Sequence, residues 1–321
     1  MKLAHIACHN LSGLAKLVQC FEKLLLKSNF SVKIINPDMK AGHCDLCIHM
    51  EKVSPVNVEL SSHNALVPMP EHVLSFDFYD KLDSVLCVNK YGFDIFKNIE
   101  NKFNFKTILT GCTTFINKPF SLCDKDYNQA IHLAGVSPWK NTNLVLSTWK
   151  NNPHLPKLHV TCLDRSQYRS CFRENKSLID DCSSSENIEI HHSPLSNDQI
   201  SDLQSLAGLS ICPSSAEGYS NYINESLHFG SIVITLDYPP MNELVNSNHG
   251  ILIPSFHADY RGKFNISCRS FLESKLLSAI VKYLDMPLSC KMEKSINSHN
   301  HYIDNQLFFV NNFTNFLKTL Q

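Results

Sequence analysis

The chain has 321 residues, 43% of them hydrophobic and 18% charged, a balance that excludes intrinsic disorder and suits two domains of about 100–200 residues each. The formal net charge of −1 excludes a chain-wide electrostatic field, so nucleic acid is not an expected partner. No run approaches the ~20 apolar residues of a membrane span, and the N-terminus lacks an apolar signal core, so a cytoplasmic protein is expected. The 13 cysteines then read as reduced, mostly buried thiols. Cys44-x-x-Cys47 has no second pair at zinc spacing, and no metal site is predicted.

Residues 2–8 read as an apolar strand and 9–13 as a turn in which Ser12 caps the next helix. That helix runs to about residue 27, with Leu14, Leu17, Val18, Phe21, Leu24 and Leu25 on one face. Lys16, Lys23 and Lys27 offer a peripheral membrane contact, although an apolar face at this spacing is the usual mark of a packing helix. A strand over 31–36 completes a β-α-β unit with a right-handed crossover. Further strands are predicted over 45–49, 65–68, 84–88 and 106–110, with a helix over 91–99. Open α/β sheets hold ligands at the carboxyl ends of their strands. Ser12, Gly13, Glu51, Glu71, His72 and Thr113 fall there and are the polar candidates of the first domain.

The polar, aperiodic stretch 117–126 is the expected linker. The domains are therefore placed at 1–120 and 126–300, with a C-terminal helix in 301–321. The second domain opens with a strand over 129–134, followed by Gly135, Ser137, Pro138 and Lys140. Ser137 is placed to cap a helix whose first turn takes Pro138, with Lys140 near an anion. A strand over 158–162 precedes Arg165. A strand over 187–191 ends in His191-His192, which lack a ligand-spaced partner along the chain. Ser196-x-x-Gln199 is a capping box for a helix through Leu206.

Residues 211–252 carry the chemistry. An apolar strand ends at Cys212, a polar turn holds Glu217 and Gly218, a helix carries Glu225, and Gly230 stops it. The carboxylates of Glu217 and Glu225, with seven residues between them, stand about 11 Å apart along a helix axis. That is roughly the span between the sugar and ribose ends of a nucleotide sugar. A carboxylate accepts from two neighbouring hydroxyls, and the helix N-terminus between them offers N–H groups to a phosphate. A strand over 231–235, a proline break and a short helix near Met241 follow. Helices are also predicted over 271–284 and 303–320.

The pattern Glu217-x7-Glu225 followed by Gly230, Glu243, Leu244, Val245 and Gly250 resembles the retaining GT-B glycosyltransferases of family 4. The resemblance implies an α/β fold of two Rossmann-like doubly wound domains facing across a cleft, with the C-terminal helix crossing back to the first. It implies hexosyl transfer from a nucleotide-sugar cosubstrate with retention, without a metal or other cofactor. It favours UDP over GDP, and leaves the acceptor open among glycan, protein and lipid. By this likeness Glu225 holds the ribose, and Glu217 the donor sugar, beside the N–H groups of Tyr219, Ser220 and Asn221. Gly135, Ser137 and Lys140 face the leaving diphosphate, and Glu243, Leu244 and Val245 line the base and ribose pocket. The family's Arg is replaced by Val136, for which Arg165 is the candidate substitute. That departure leaves open a non-catalytic nucleotide-sugar-binding module. A GT-B epimerase or hydrolase is the other alternative.

Overall fold

Near-continuous apolar strands are the mark of a parallel sheet covered on both faces. Ala207–Cys212 and Ile232–Leu236 are buried at every position. In the computed structural model, which describes residues 1–9, 11–135, 137–162, 178, 181–191, 193 and 195–320, both lie inside such a sheet. The chain divides into two units. The first comprises Met1–Phe115, Tyr260–Ser267 and Asp304–Gln321, and the second Ile116–Asp259 and Cys268–Ile303.

Among the described residues the first unit has six parallel strands: β1 (Lys2–Ala7), β2 (Phe30–Ile35), β3 (Leu46–Met50), β4 (Asn64–Val67), β5 (Ser84–Cys87) and β6 (Lys106–Leu109). Their spatial order is β2-β1-β3-β4-β5-β6, which reverses direction between β1 and β3. Besides α2 (Lys90–Lys97) and α3 (Glu100–Phe103) between β5 and β6, the unit has helix α1 (Leu11–Lys27) after β1. It starts at Leu11, so Ser12 lies in its first turn and is not the cap the sequence suggested. Its apolar face, with Leu17, Phe21 and Leu25 fully buried, is used for packing within the unit.

The second unit holds β7 (Asp126–Gly135), α4 (Thr142–Lys150), β8 (Lys157–Cys162), β9 (Ile188–His191), α5 (Asn197–Leu206) and β10 (Ala207–Cys212). It continues through α6 (Asn221–His228), β11 (Ile232–Leu236), α7 (Met241–Leu244) and β12 (Gly250–Ile253). The sheet order is β12-β11-β10-β7-β8-β9, all parallel. The chain winds outward from β7 to β9, then returns to lay β10 on the other side of β7. The expected capping box forms: Ser196 Oγ accepts from the Gln199 N–H while Gln199 Oε1 accepts from the Ser196 N–H.

Between Phe256 and Ser270 the sequence suggests no element, yet β13 (Phe256–Arg261) and β14 (Ile266–Ser270) pair there. The last helix is longer than its apolar pattern, running from Leu288 to Lys318. Its first half buries a polar face of Lys291, Ser295 and Ser298, with Tyr302. Ser295 accepts a 3.0 Å hydrogen bond from Tyr127, and Ser298 donates one of 2.9 Å to the Ser231 carbonyl. A face that is held by hydrogen bonds shows no hydrophobic periodicity.

From Asp304 onward the helix belongs to the first unit. There Phe309 and Phe313 meet the ring of Phe21 edge-on, at centroid distances of 5.5 and 4.9 Å. Phe308, next to Phe309 in the chain, is 46% exposed. Phe313 is fully buried, so Phe313→Ala removes a large side chain that its neighbours cannot fully replace. It is expected to destabilise the protein by about 3–5 kcal/mol, read as a lower urea midpoint with little change in slope.

Candidate functional site

Ligands of open α/β sheets bind where the strand order reverses. In the second unit that point lies between β7 and β10, and the two loops leaving their carboxyl ends are bonded to each other. The Ser215 N–H donates to the Trp139 carbonyl at 2.8 Å. Asn141 Nδ2 donates to the Pro213 carbonyl at 2.6 Å and to Ser215 Oγ at 2.9 Å. Asn141 holds φ 54°, a left-handed conformation that Asn tolerates better than most residues.

Gly135 ends β7 with φ 59°. The chain then makes a 3-10 turn over Pro138–Lys140 before α4 starts at Thr142. Ser137 therefore precedes this turn and does not cap a helix, a correction forced by the left-handed Asn141. Lys140 folds back so that Nζ donates to the Leu133 carbonyl at 2.9 Å and lies 4.1 Å from the centre of the Tyr222 ring. The loop rests on His132, fully buried in β7. A carbonyl only accepts, so His132 Nδ1–H donates to Ile211 at 2.7 Å, leaving Nε2 to accept from Thr142 Oγ1 at 2.9 Å. Burial lowers its pKa to about 4, so the ring is neutral at pH 7. Nothing along the sequence distinguishes this histidine; only its cross-strand position reveals its role.

The loop after β10 carries Glu217. Burial raises its carboxyl pKa. The nearby Lys140 charge and hydrogen bonds from Ser214 and the Ser220 N–H oppose that rise. Glu217 and Lys140, candidates from separate motifs with separate expected roles, are thus brought within electrostatic reach. Gly218 and Tyr219 lead to Ser220, which enters α6 at φ 61°. The buried Asn221 Oδ1 and Asn224 Oδ1 have no hydrogen-bond partner among the described residues. Such orphaned atoms at a helix N-terminus are suited to a hydroxyl-rich ligand.

Glu225, on the second turn of α6, is only 4% exposed, and Gln204 Nε2 lies 3.4 Å from its Oε2. The helix ends as predicted at Gly230, φ 69°. Gly230 and Ser231 N–H groups bond back to the Leu227 and Ser226 carbonyls, a Schellman closure. Beyond β11, Glu243 is exposed, Leu244 is partly buried and Val245 is fully buried in the core. Val245 is packed too deeply to line a pocket in this arrangement. Arg165 lies outside the described residues, as do Val136 and His192. A cation that the sequence reading passed over, Arg269, sits nearby. Its N–H donates to the Ser215 carbonyl at 2.8 Å, while its guanidinium donates to the Ser255 carbonyl at 2.7 Å and covers the Tyr238 ring.

In the first unit the reversal point lies between β1 and β3, so Ser12 and Gly13 after β1 and Glu51 after β3 flank it. Glu51 Oε1 lies 2.9 Å from His72 Nδ1, and this hydrogen bond is the main cause of a raised His72 pKa. Glu71 is largely buried. Thr113 is fully buried, and its carbonyl accepts from the Cys20 thiol at 3.1 Å, which removes it from the exposed candidates.

Residues 115–263 match the family Glycosyl transferases group 1, a stretch that includes every described donor-side candidate. No sequence match was found among the curated proteins. Among solved structures, a sucrose-phosphate synthase from Thermosynechococcus elongatus is 11% identical, with a TM-score of 0.76 over 100% of this chain and 99% of that one. Anabaena HepE, solved with UDP and glucose, is 13% identical, with a TM-score of 0.69 over 99% of this chain and 100% of the other. The pneumococcal O-GlcNAc transferase GtfA, solved with UDP and GlcNAc, is 14% identical, with a TM-score of 0.64 over 86% of this chain but only 57% of its own. The fold is therefore that of the GT-B glycosyltransferases. Among the described residues no helix is long and apolar enough to cross a membrane.

The raised Glu217 pKa has a testable sign. A carboxyl that binds its proton more tightly in the folded state stabilises the fold at low pH, and this contribution is lost as pH rises through the folded pKa. Glu217→Gln removes the cost of the buried charge. The variant is expected to melt higher than wild type at pH 7, with the gap closing below the ordinary carboxylate range. A melting series from pH 4 to 8 reads this directly.

Proposed function

We propose that the protein transfers a hexose from a nucleotide sugar to an acceptor hydroxyl, with retention at the anomeric carbon. The observation that carries this reading is the bonded pair of loops at the β7–β10 reversal, which bring Lys140 and Glu217 together inside the stretch matching group 1 glycosyl transferases. In the proposed reaction the bond from the anomeric carbon to the diphosphate breaks, a bond to the acceptor oxygen forms, and the nucleoside diphosphate leaves. Lys140 and the N-terminus of α6 stabilise the charge that gathers on the diphosphate. Glu217 accepts from donor-sugar hydroxyls, and Glu225 from the ribose. This chemistry does not call on a metal at the donor phosphates.

UDP is the favoured donor base, with GDP second. UDP in the HepE and GtfA structures supports that order. The acceptor is a glycan, protein or lipid, and Glu51 and His72 of the first unit, 2.9 Å apart, are acceptor-side candidates.

A thermal-shift titration with UDP, GDP, ADP and their sugar conjugates tests the donor site. A ligand at a hundred times its dissociation constant adds ~2.7 kcal/mol, about 4 °C at ~2.1 cal/mol/K per residue for a chain this long. One nucleotide series is expected to give this shift in wild type and to lose it in Glu225→Ala. No shift with any nucleotide would leave the fold without its proposed donor. Lys140→Met is expected to slow release of UDP from a UDP-sugar by about 10²–10³-fold, with melting temperature close to wild type.

A further inference from the structure

Strand alternation sets Glu189, two residues earlier on β9, on the same face as His191, and the sheet supplies His159 from β8 across it. β8 and β9 run parallel with His159 opposite Glu189 and Thr161 opposite His191. Strand alternation puts His159, Glu189 and His191 on one face. His159 Nδ1 lies 3.5 Å from His191 Nε2 and 3.7 Å from Glu189 Oε2, and His191 Nε2 is 3.7 Å from Glu189 Oε1. Zinc bonds of ~2.0–2.1 Å at tetrahedral angles set donor atoms about 3.3–3.4 Å apart, and one ligand atom from each of the three residues lies within 4.8 Å of the other two, so side-chain adjustments bring them around one ion.

The neighbours prepare the donors. Gln129 Oε1 lies 2.8 Å from His159 Nε2. A carbonyl oxygen only accepts, so Nε2 carries the proton and the Nδ1 lone pair faces Glu189 and His191. An outer partner of this kind is what a ligating histidine needs. Lys157 Nζ stands 2.6 Å from Glu189 Oε2, which orients the carboxylate and leaves Oε1 toward His191. His159 is nearly buried, and the other two residues are partly exposed, so an ion has a way in.

We propose that His159, Glu189 and His191 bind a divalent metal of the zinc class, with water in the fourth position, pinning edge strand β9 to β8. Two imidazoles and one carboxylate select zinc, cobalt, nickel or copper over magnesium and calcium, which prefer all-oxygen shells. The site is separate from the donor loops, and the proposal does not depend on the glycosyltransferase reading.

The test is titration of the metal-stripped full chain with Co²⁺, followed by displacement with Zn²⁺. One equivalent is expected to give the visible absorption of tetrahedral nitrogen–oxygen coordination, without a thiolate charge-transfer band. His191→Ala and the milder Glu189→Gln are expected to abolish it, and Gln129→Leu to weaken binding roughly 10–100-fold. Circular dichroism confirms folding of each variant. Two results overturn the proposal. One is no stoichiometric spectrum in wild type, which leaves a plain N–H···N hydrogen bond between the histidines. The other is a spectrum unchanged in both folded ligand variants, which places the ion elsewhere, for example on the exposed Cys123.

Discussion

The parallel pairing of β7 with β10 is the constraint on which the candidate site depends. Leu209 lies opposite Ala130 and Ser210 opposite Ile131, and both strands are buried through that stretch. Parallel strands need crossovers, and each crossover leaves from a carboxyl end. The crossover leaving β7 returns on one side, and the one leaving β10 on the other, so their loops part at this edge of the sheet. His132 then welds the first turn of α4 to β7 and β10 with two hydrogen bonds. Its depressed pKa keeps it neutral, which a fully buried imidazole with one donor and one acceptor bond requires.

On this base the loops carry local strain that their own packing does not repay. Asn141 and Ser220 both sit in the left-handed region, where a non-glycine residue costs on the order of 1–3 kcal/mol. Glu217 gives up solvation, and two buried amide oxygens on the first turns of α6, of Asn221 and Asn224, lack partners among the described residues. A fold under selection for stability alone would relax these features with glycine, alanine or a longer loop. Apart from Asn141, these features fall between Glu217 and Asn224, a concentration consistent with a surface shaped for a polar ligand.

Much of this was legible in the sequence because it is written in local terms. Gly230 after Leu227 announces a helix stop, Ser196-x-x-Gln199 announces a start, and apolar runs such as 232–236 announce buried strands. That Lys140 follows the end of β7 and Glu217 the end of β10 is also legible in the sequence. What escaped was held by contacts between distant segments. Ser137 looked like a helix cap until Asn141, tied to Pro213 and Ser215, delayed the helix to Thr142. Val245 looked like a pocket residue, but Gly250 leaves room for its side chain against β11; a Cβ at Gly250 would fall 2.2 Å from Val245 Cγ1. The last helix was cut short because its first half buries serines, and hydrogen bonds leave no apolar period.

The same reasoning explains why two kinds of polar cluster share one sheet without merging. His159 pairs with Ile131, while Cys162 at the end of β8 pairs with Gly135. Three residues at about 3.3 Å each put His159 roughly 10 Å short of the strand end, on the face opposite Leu158 and Val160. Donor-loop chemistry needs the carboxyl ends, where backbone N–H groups and helix termini are free. A two-histidine, one-carboxylate cluster needs none of these; it needs two strands in register with polar residues at positions i and i+2. Strand β9, at the edge of the sheet among the described residues, meets that condition with Glu189 and His191. A periodicity search along the chain counts such residues as solvent-facing alternation. Only the register between β8 and β9 turns three scattered side chains into one set of ligands.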